Sequence, residues 1–114
     1  MVIAFDFDNT IIKWKQGGVF YPVKYVVDFL KHRKMKNDIL ILWTCREGED
    51  LEWAVQICKD WGILLDYVNE NTKEVVDSGR NPRKIEADLY IDEKCLNHVS
   101  EWHKLKDLLW DDYV

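Results

Sequence analysis

The stretch Val2-Ile3-Ala4-Phe5-Asp6-Phe7-Asp8-Asn9-Thr10 decides how the rest of the chain is read. A short apolar run leads straight into carboxylates. Such a run reads as a strand buried on both faces, delivering its acidic end to the edge of a core. Alternation within an extended segment turns Asp6 and Asp8 the same way and Phe7 the other way. Carboxylates sharing one crevice repel each other unless a cation joins them or a proton is taken up. Asn9 suits the turn that must follow, because its side chain tolerates left-handed backbone.

Working outward, residues 11–21 carry Gly17-Gly18 between Ile12/Trp14 and Val19/Tyr21, the pattern of a small hairpin or flap. Pro22 suits the first turn of a helix. Val23, Val26, Val27 and Leu30 then mark one buried helical stripe. The cationic run Lys31-His32-Arg33-Lys34 fits the last turn of that helix, where positive charge opposes the dipole. Ile39 to Trp43 reads as a second buried strand ending at Thr44. Leu51, Ala54, Val55 and Cys58 form a further stripe, and Gly62 is placed to end that helix. Ile63 to Val68 reads as a third strand. Asn71 with Glu74 resembles a capping box for a short helix ending near Gly79. Ala87 to Ile91 is the fourth strand, ending at Asp92 and Glu93. Ser100 is placed to cap a last helix carrying Trp102, Leu105 and Leu109 inward. Strands alternating with helices predict an α/β fold, a parallel sheet of about four strands with helices on both faces.

Length and composition agree with one domain over residues 1–114. The chain is 47% apolar and 32% charged, which suits a globular core and argues against disorder. Its formal net charge of −5 excludes a chain-wide basic field for nucleic acid. Cys45, Cys58 and Cys95 form neither a CxxC pair nor an even set, so no disulfide framework or zinc knuckle is indicated. No leader pattern or membrane-length apolar run is visible, so a cytoplasmic location and no membrane partner are expected. Most of the six tryptophans are expected in the core or between helices, with Trp14 at a site rim.

In a parallel sheet the ligand crevice lies beyond the carboxyl ends of the strands. Asp6, Asp8, Thr44, Asp92 and Glu93 all fall at such ends, and the basic segment Arg80-Asn81-Pro82-Arg83-Lys84 precedes the fourth strand. Oxygen ligands of this kind suit Mg²⁺. Cys45 is read as a lining residue. Arg46 is a candidate substrate contact, with a surface pair to Glu47 or Glu49 as the alternative.

The pattern resembles the haloacid dehalogenase superfamily of phosphotransferases, and within it the small capless members. The first motif of that superfamily, DxDx[T/V], stands here as Asp6-Phe7-Asp8-Asn9-Thr10. Its strand-ending Thr matches Thr44, its Lys is best matched by Lys84, and its acidic pair matches Asp92-Glu93, with Glu in place of the commoner second Asp. The stretch Leu42-Trp43-Thr44-Cys45-Arg46-Glu47-Gly48 and the spacing Arg83-Lys84…Ala87-Asp88…Ile91-Asp92 carry the likeness further. The resemblance implies a Rossmann-like core without a cap. It also implies a Mg²⁺-dependent phosphomonoester hydrolase, with Asp6 as nucleophile and Asp8 as general acid and base. Mg²⁺ would be held by the Asp6 and Asp92 side chains and the Asp8 carbonyl. Thr44, Lys84, and the amides near Phe7 and Cys45 would take the phosphoryl oxygens. Asn9, Arg83, Glu93 and Trp14 are further candidates for the site.

With no segment long enough for a cap, the site is expected to be open, covered by the Trp14 flap or by a second copy of the chain. The substrate is then a phosphorylated small molecule or a phosphorylated nucleic-acid end. The latter enters because the phosphatase half of polynucleotide kinase-phosphatases is similar in layout. Two rivals stand beside this reading. One is an inactive relative used for binding. The other is a signalling receiver domain, whose phosphorylated Asp ends the third strand; the counterpart here, Asp66, precedes Tyr67-Val68 and falls inside that strand.

Overall fold

Four short strands line up in parallel: β1 (Val2–Phe5), β4 (Ile39–Leu42), β5 (Tyr67–Val68) and β6 (Leu89–Ile91). The structure, a computed structural model, describes residues 1–92. Glu93, Cys95 and the helix expected after Ser100, with Trp102, Leu105 and Leu109, lie outside the described residues. The sheet order is β5-β4-β1-β6. The chain steps outward from β1 to β4 and β5, then crosses back to pair β6 on the other side of β1. The order therefore reverses between β1 and β6, and crevices open at such a reversal.

Helix α1 (Lys24–Met35) and helix α2 (Gly48–Asp60) pack on one face of the sheet. Val26, Val27, Phe29 and Leu30 of α1, with Ala54 and Cys58 of α2, close over Ile3, Phe5, Leu40, Leu42 and Ile91. The opposite face buries Ala4 and Ile41 beneath Ile85, from the loop leading to β6. The expectation of a four-stranded parallel sheet flanked by helices is met, with no cap domain interrupting residues 1–92. Helices were expected on both faces; among the described residues α1 and α2 cover one face, while a loop residue, Ile85, covers the other. No helix of the described residues is long and apolar enough to cross a membrane.

Both long helices end by the same device. After α2, Gly62 takes φ +80°, its N–H donates to the Lys59 carbonyl, and the Ile63 N–H donates to Cys58. After α1, Asn37 takes φ +66°, with the Asn37 and Asp38 N–H groups donating to Lys34 and Arg33. These are paired bonds of the Schellman type, which need a left-handed residue just past the helix. The cationic run does close α1, but Arg33 is buried and donates to Asp38.

Several sequence expectations are corrected. Pro22 ends strand β3 (Phe20–Pro22) rather than entering α1, because it pairs in register with Ile12 of β2 (Ile12–Trp14) in the hairpin. A short 3-10 turn, Gln16–Gly18, joins these two strands, as the paired glycines suggest. The third strand is only Tyr67–Val68 instead of Ile63–Val68, since Ile63 is consumed by the end of α2. The fourth begins at Leu89, because the Ala87 N–H is turned to the Tyr90 hydroxyl and the Asp88 N–H to the Val2 carbonyl. The cap of α3 (Lys73–Asp77) is Thr72, whose hydroxyl accepts from the Val75 N–H. Asn71 is buried instead, accepting from the Glu86 N–H and donating to the Pro82 carbonyl. Among the described tryptophans, Trp14 and Trp43 are exposed and Trp53 and Trp61 half-buried, so none sits in the core proper.

Candidate active site

The Asp6 N–H donates to the Ile91 carbonyl at 2.9 Å, which ties the end of β1 to the end of β6. That bond sets Asp6 and Asp92 beside the reversal in strand order, and both line one crevice with Thr44, Cys45, Trp43 and Tyr90. A second lobe of the crevice runs from Asp6 past Asp8 and Arg46 to Glu47 and Asp50 at the start of α2. Phe7 points into the core with no exposed surface, so Asp6 and Asp8 share the crevice side as alternation predicts.

The loop after β1 is a tight one. The N–H groups of Thr10, Ile11 and Ile12 all converge on the Phe7 carbonyl, and Asn9 takes φ +58°. Asn9 thus does the turn-forming job expected of it. The Phe7 N–H donates to Asp6 Oδ1 at 2.7 Å, so this amide is turned to the carboxylate.

Thr44 lies two residues beyond β4. Its N–H donates to Asn69 Oδ1 at 2.8 Å, and its hydroxyl oxygen accepts from the Arg46 N–H at 3.2 Å. A hydroxyl that accepts in this way keeps its own proton to donate. Asn69, at φ +52° after β5, went unnoticed in the sequence. A turn residue closing a strand in the left-handed region was the available signal.

Arg46 pairs with neither Glu47 nor Glu49. Its Nε donates to Asp8 Oδ2 and its Nη2 to Asp8 Oδ1, each at 2.9 Å. The bonds from Arg46 hold the Asp8 carboxyl below its ordinary value of 3.8. The Arg46 charge and a hydrogen bond from the Trp14 side chain act in the same direction, while partial burial opposes them. Trp14 stacks on Trp53 at 5.9 Å, and Phe20 meets the Trp53 edge at 5.2 Å. The flap is thereby pinned onto α2, a role the sequence had not assigned to these rings.

Lys84 lines neither lobe directly. Its ammonium sits 5.4 Å from the centre of the Tyr90 ring, and Tyr90 lines the crevice beside Asp92. The Tyr90 hydroxyl donates to the Ile85 carbonyl, which fixes the ring. Arg80 is engaged by Glu86, and Arg83 is exposed on the same loop. Cys45 is exposed within the crevice, whereas burial raises the Cys58 thiol to about 12 and leaves it inert. Asp66 accepts from Lys34 and from the Leu40 N–H. It precedes β5, at the opposite end of the strand from the crevice, so the receiver-domain arrangement is not built here.

Among the described residues no trio of His, Cys, Asp or Glu side chains converges on a metal-sized point. The Asp6 and Asp92 carboxylates line one crevice. That suits Mg²⁺, which binds through one or two carboxylates, keeps several waters and shares substrate phosphate.

The fold has a solved counterpart. A conserved protein from Bacteroides thetaiotaomicron superposes with a TM-score of 0.79 at 29% sequence identity. The match covers 98% of this chain and 91% of that one. No family model and no curated protein matches the chain.

Proposed function

We propose that the chain is a capless phosphomonoester hydrolase of the haloacid dehalogenase type, with Asp6 as its nucleophile. The observation that carries this is the meeting of Asp6, Asp92 and Thr44 in one crevice at the strand-order reversal. Asp6 Oδ would attack phosphorus in line and displace the leaving oxygen, forming an aspartyl-phosphate. Asp8 would exchange protons with the leaving group and then with water. Thr44 would donate its hydroxyl proton to a phosphoryl oxygen. Lys84, on its perch over Tyr90, would offset phosphoryl charge. Mg²⁺ on the Asp6 and Asp92 carboxylates and the Asp8 carbonyl would supply positive charge against the repulsion of two anions.

The acids around the crevice favour a small phosphomonoester over a polynucleotide end. Glu47 and Asp50 are exposed at the mouth of the Asp8 lobe, and Arg46 is already taken by Asp8. A polyanion would meet carboxylates there instead of the basic groove that holds nucleic acid.

The test is Asp6→Asn with Mg²⁺ and an aryl phosphate. We expect turnover to fall at least about 1,000-fold, as for loss of an activated nucleophile, with the fold unchanged by circular dichroism. Equal turnover by variant and wild type overturns the nucleophile assignment.

A further inference from the structure

Arg46 is held by more contacts than a side chain waiting for substrate needs. Its Nε and Nη2 grip both oxygens of Asp8. Its guanidinium centre lies 5.2 Å from the ring centres of both Phe7 and Trp53. Its backbone N–H is bonded to Thr44 Oγ1. Phe7 is locked in the core, and Trp53 meets it edge-on at 5.8 Å, so the two rings form one support. A planar cation seated against such a support is preorganised, and bidentate pairing fixes the plane of the carboxylate it holds.

Both oxygens of Asp8 accept N–H donors in this arrangement. The group is therefore held as a carboxylate in a fixed plane, and each oxygen keeps a second lone pair that can accept a water proton. In a reaction through an aspartyl-phosphate, a proton is taken in the second half. Water oxygen attacks phosphorus, a water proton passes to Asp8, the bond from phosphorus to the Asp6 oxygen breaks, and inorganic phosphate leaves. We infer that Arg46 is a positioning residue for this step, holding Asp8 as the base that activates water, and not a contact to the substrate. The inference rests on the phosphohydrolase reading of Asp6. By the same backbone turn, Arg46 keeps the Thr44 hydroxyl aligned to donate.

The experiment is stopped-flow hydrolysis of p-nitrophenyl phosphate by the full chain with Mg²⁺. Nitrophenolate departs without a proton, so the first half-reaction needs no acid and reports on Asp6 alone. For Arg46→Ala we expect a retained burst of about one nitrophenolate per protein. The steady state that follows is expected to be slower by about 10- to 100-fold, the share of a well-placed base. Acid-quenched Arg46→Ala should carry phosphate on Asp6. Arg46→Lys, whose single ammonium cannot grip both oxygens, should fall between the two and covers the case in which the alanine variant does not fold. Burst and steady state falling together in an active, folded variant overturn the inference. A rise in KM with kcat kept overturns it too, and makes Arg46 a substrate contact. A wild type without Asp6-dependent turnover overturns the phosphohydrolase reading itself, and the role of Arg46 with it.

Discussion

Thr10→Val should make the protein more stable. Thr10 is 4% exposed, and its hydroxyl has no hydrogen-bond partner among the described residues. Its backbone is already satisfied, since the Thr10 N–H donates to the Phe7 carbonyl. An unsatisfied buried hydroxyl costs about 1–3 kcal/mol. Valine keeps the β-branched shape, so the rotamer restriction imposed by the turn is unchanged. The exchange therefore removes a desolvation cost without opening a cavity. Taking the lower end, about 1 kcal/mol corresponds to a rise in Tm of roughly 4 °C for a domain near this size. Urea unfolding with an unchanged m-value, alongside a thermal melt, is the assay. A valine variant no more stable than the wild type refutes the reasoning and means that the hydroxyl is bonded. The first motif of the resembled superfamily accepts either Thr or Val at this place, so aryl phosphate turnover should survive the change.

Two other predictions concern charge. Asp38 is 3% exposed and accepts from the Met1 ammonium at 2.6 Å and from Arg33 Nε. Asp38→Ala leaves the buried Arg33 guanidinium without this partner and should cost about 3–5 kcal/mol in urea unfolding; a loss under about 1 kcal/mol contradicts the buried-pair account. Asp8 has a depressed folded-state pKa, so its pairing stabilises the fold above the ordinary value of 3.8 and is lost as pH falls through the lower folded value. The stability gap between wild type and Arg46→Met, measured in EDTA, should accordingly shrink below pH 3.8. The gap itself should stay within about 1 kcal/mol, because solvent screens a carboxylate that is 38% exposed. A gap that holds constant through that range shows that the variant acts through lost ring packing alone.

Asp6, Asp8, Thr44 and Asp92 were legible because a buried strand must end where its polar residues begin, and a parallel sheet gathers all such ends on one side. The end of α2 was legible for a local reason too, since Gly62 adopts φ +80° without a side-chain penalty. Asn37 does the same job for α1 at φ +66° but carries a weaker signal, because asparagine has many other uses. The third strand was overread, since the end of α2 and an apolar strand compete for Ile63 and hydrophobicity does not say which prevails.

Local pattern thus determined the α/β class, the order of its elements and the carboxylates that meet in the crevice, because each depends on neighbours within a turn or a strand. Tertiary structure decided the partners. Arg46 finds Asp8 across 38 residues because β1 and β4 lie in register, Phe5 beside Leu42, and bring the turns that follow them together. Asn69 finds Thr44 across 25 residues for the same reason, one strand further out. Trp14 was expected at a site rim and is found there, bonded to Asp8, but it also lies on Trp53, since a hairpin of two three-residue strands has no core of its own and must borrow the surface of α2. Such pairings follow from strand register and packing and leave no local trace in composition or periodicity.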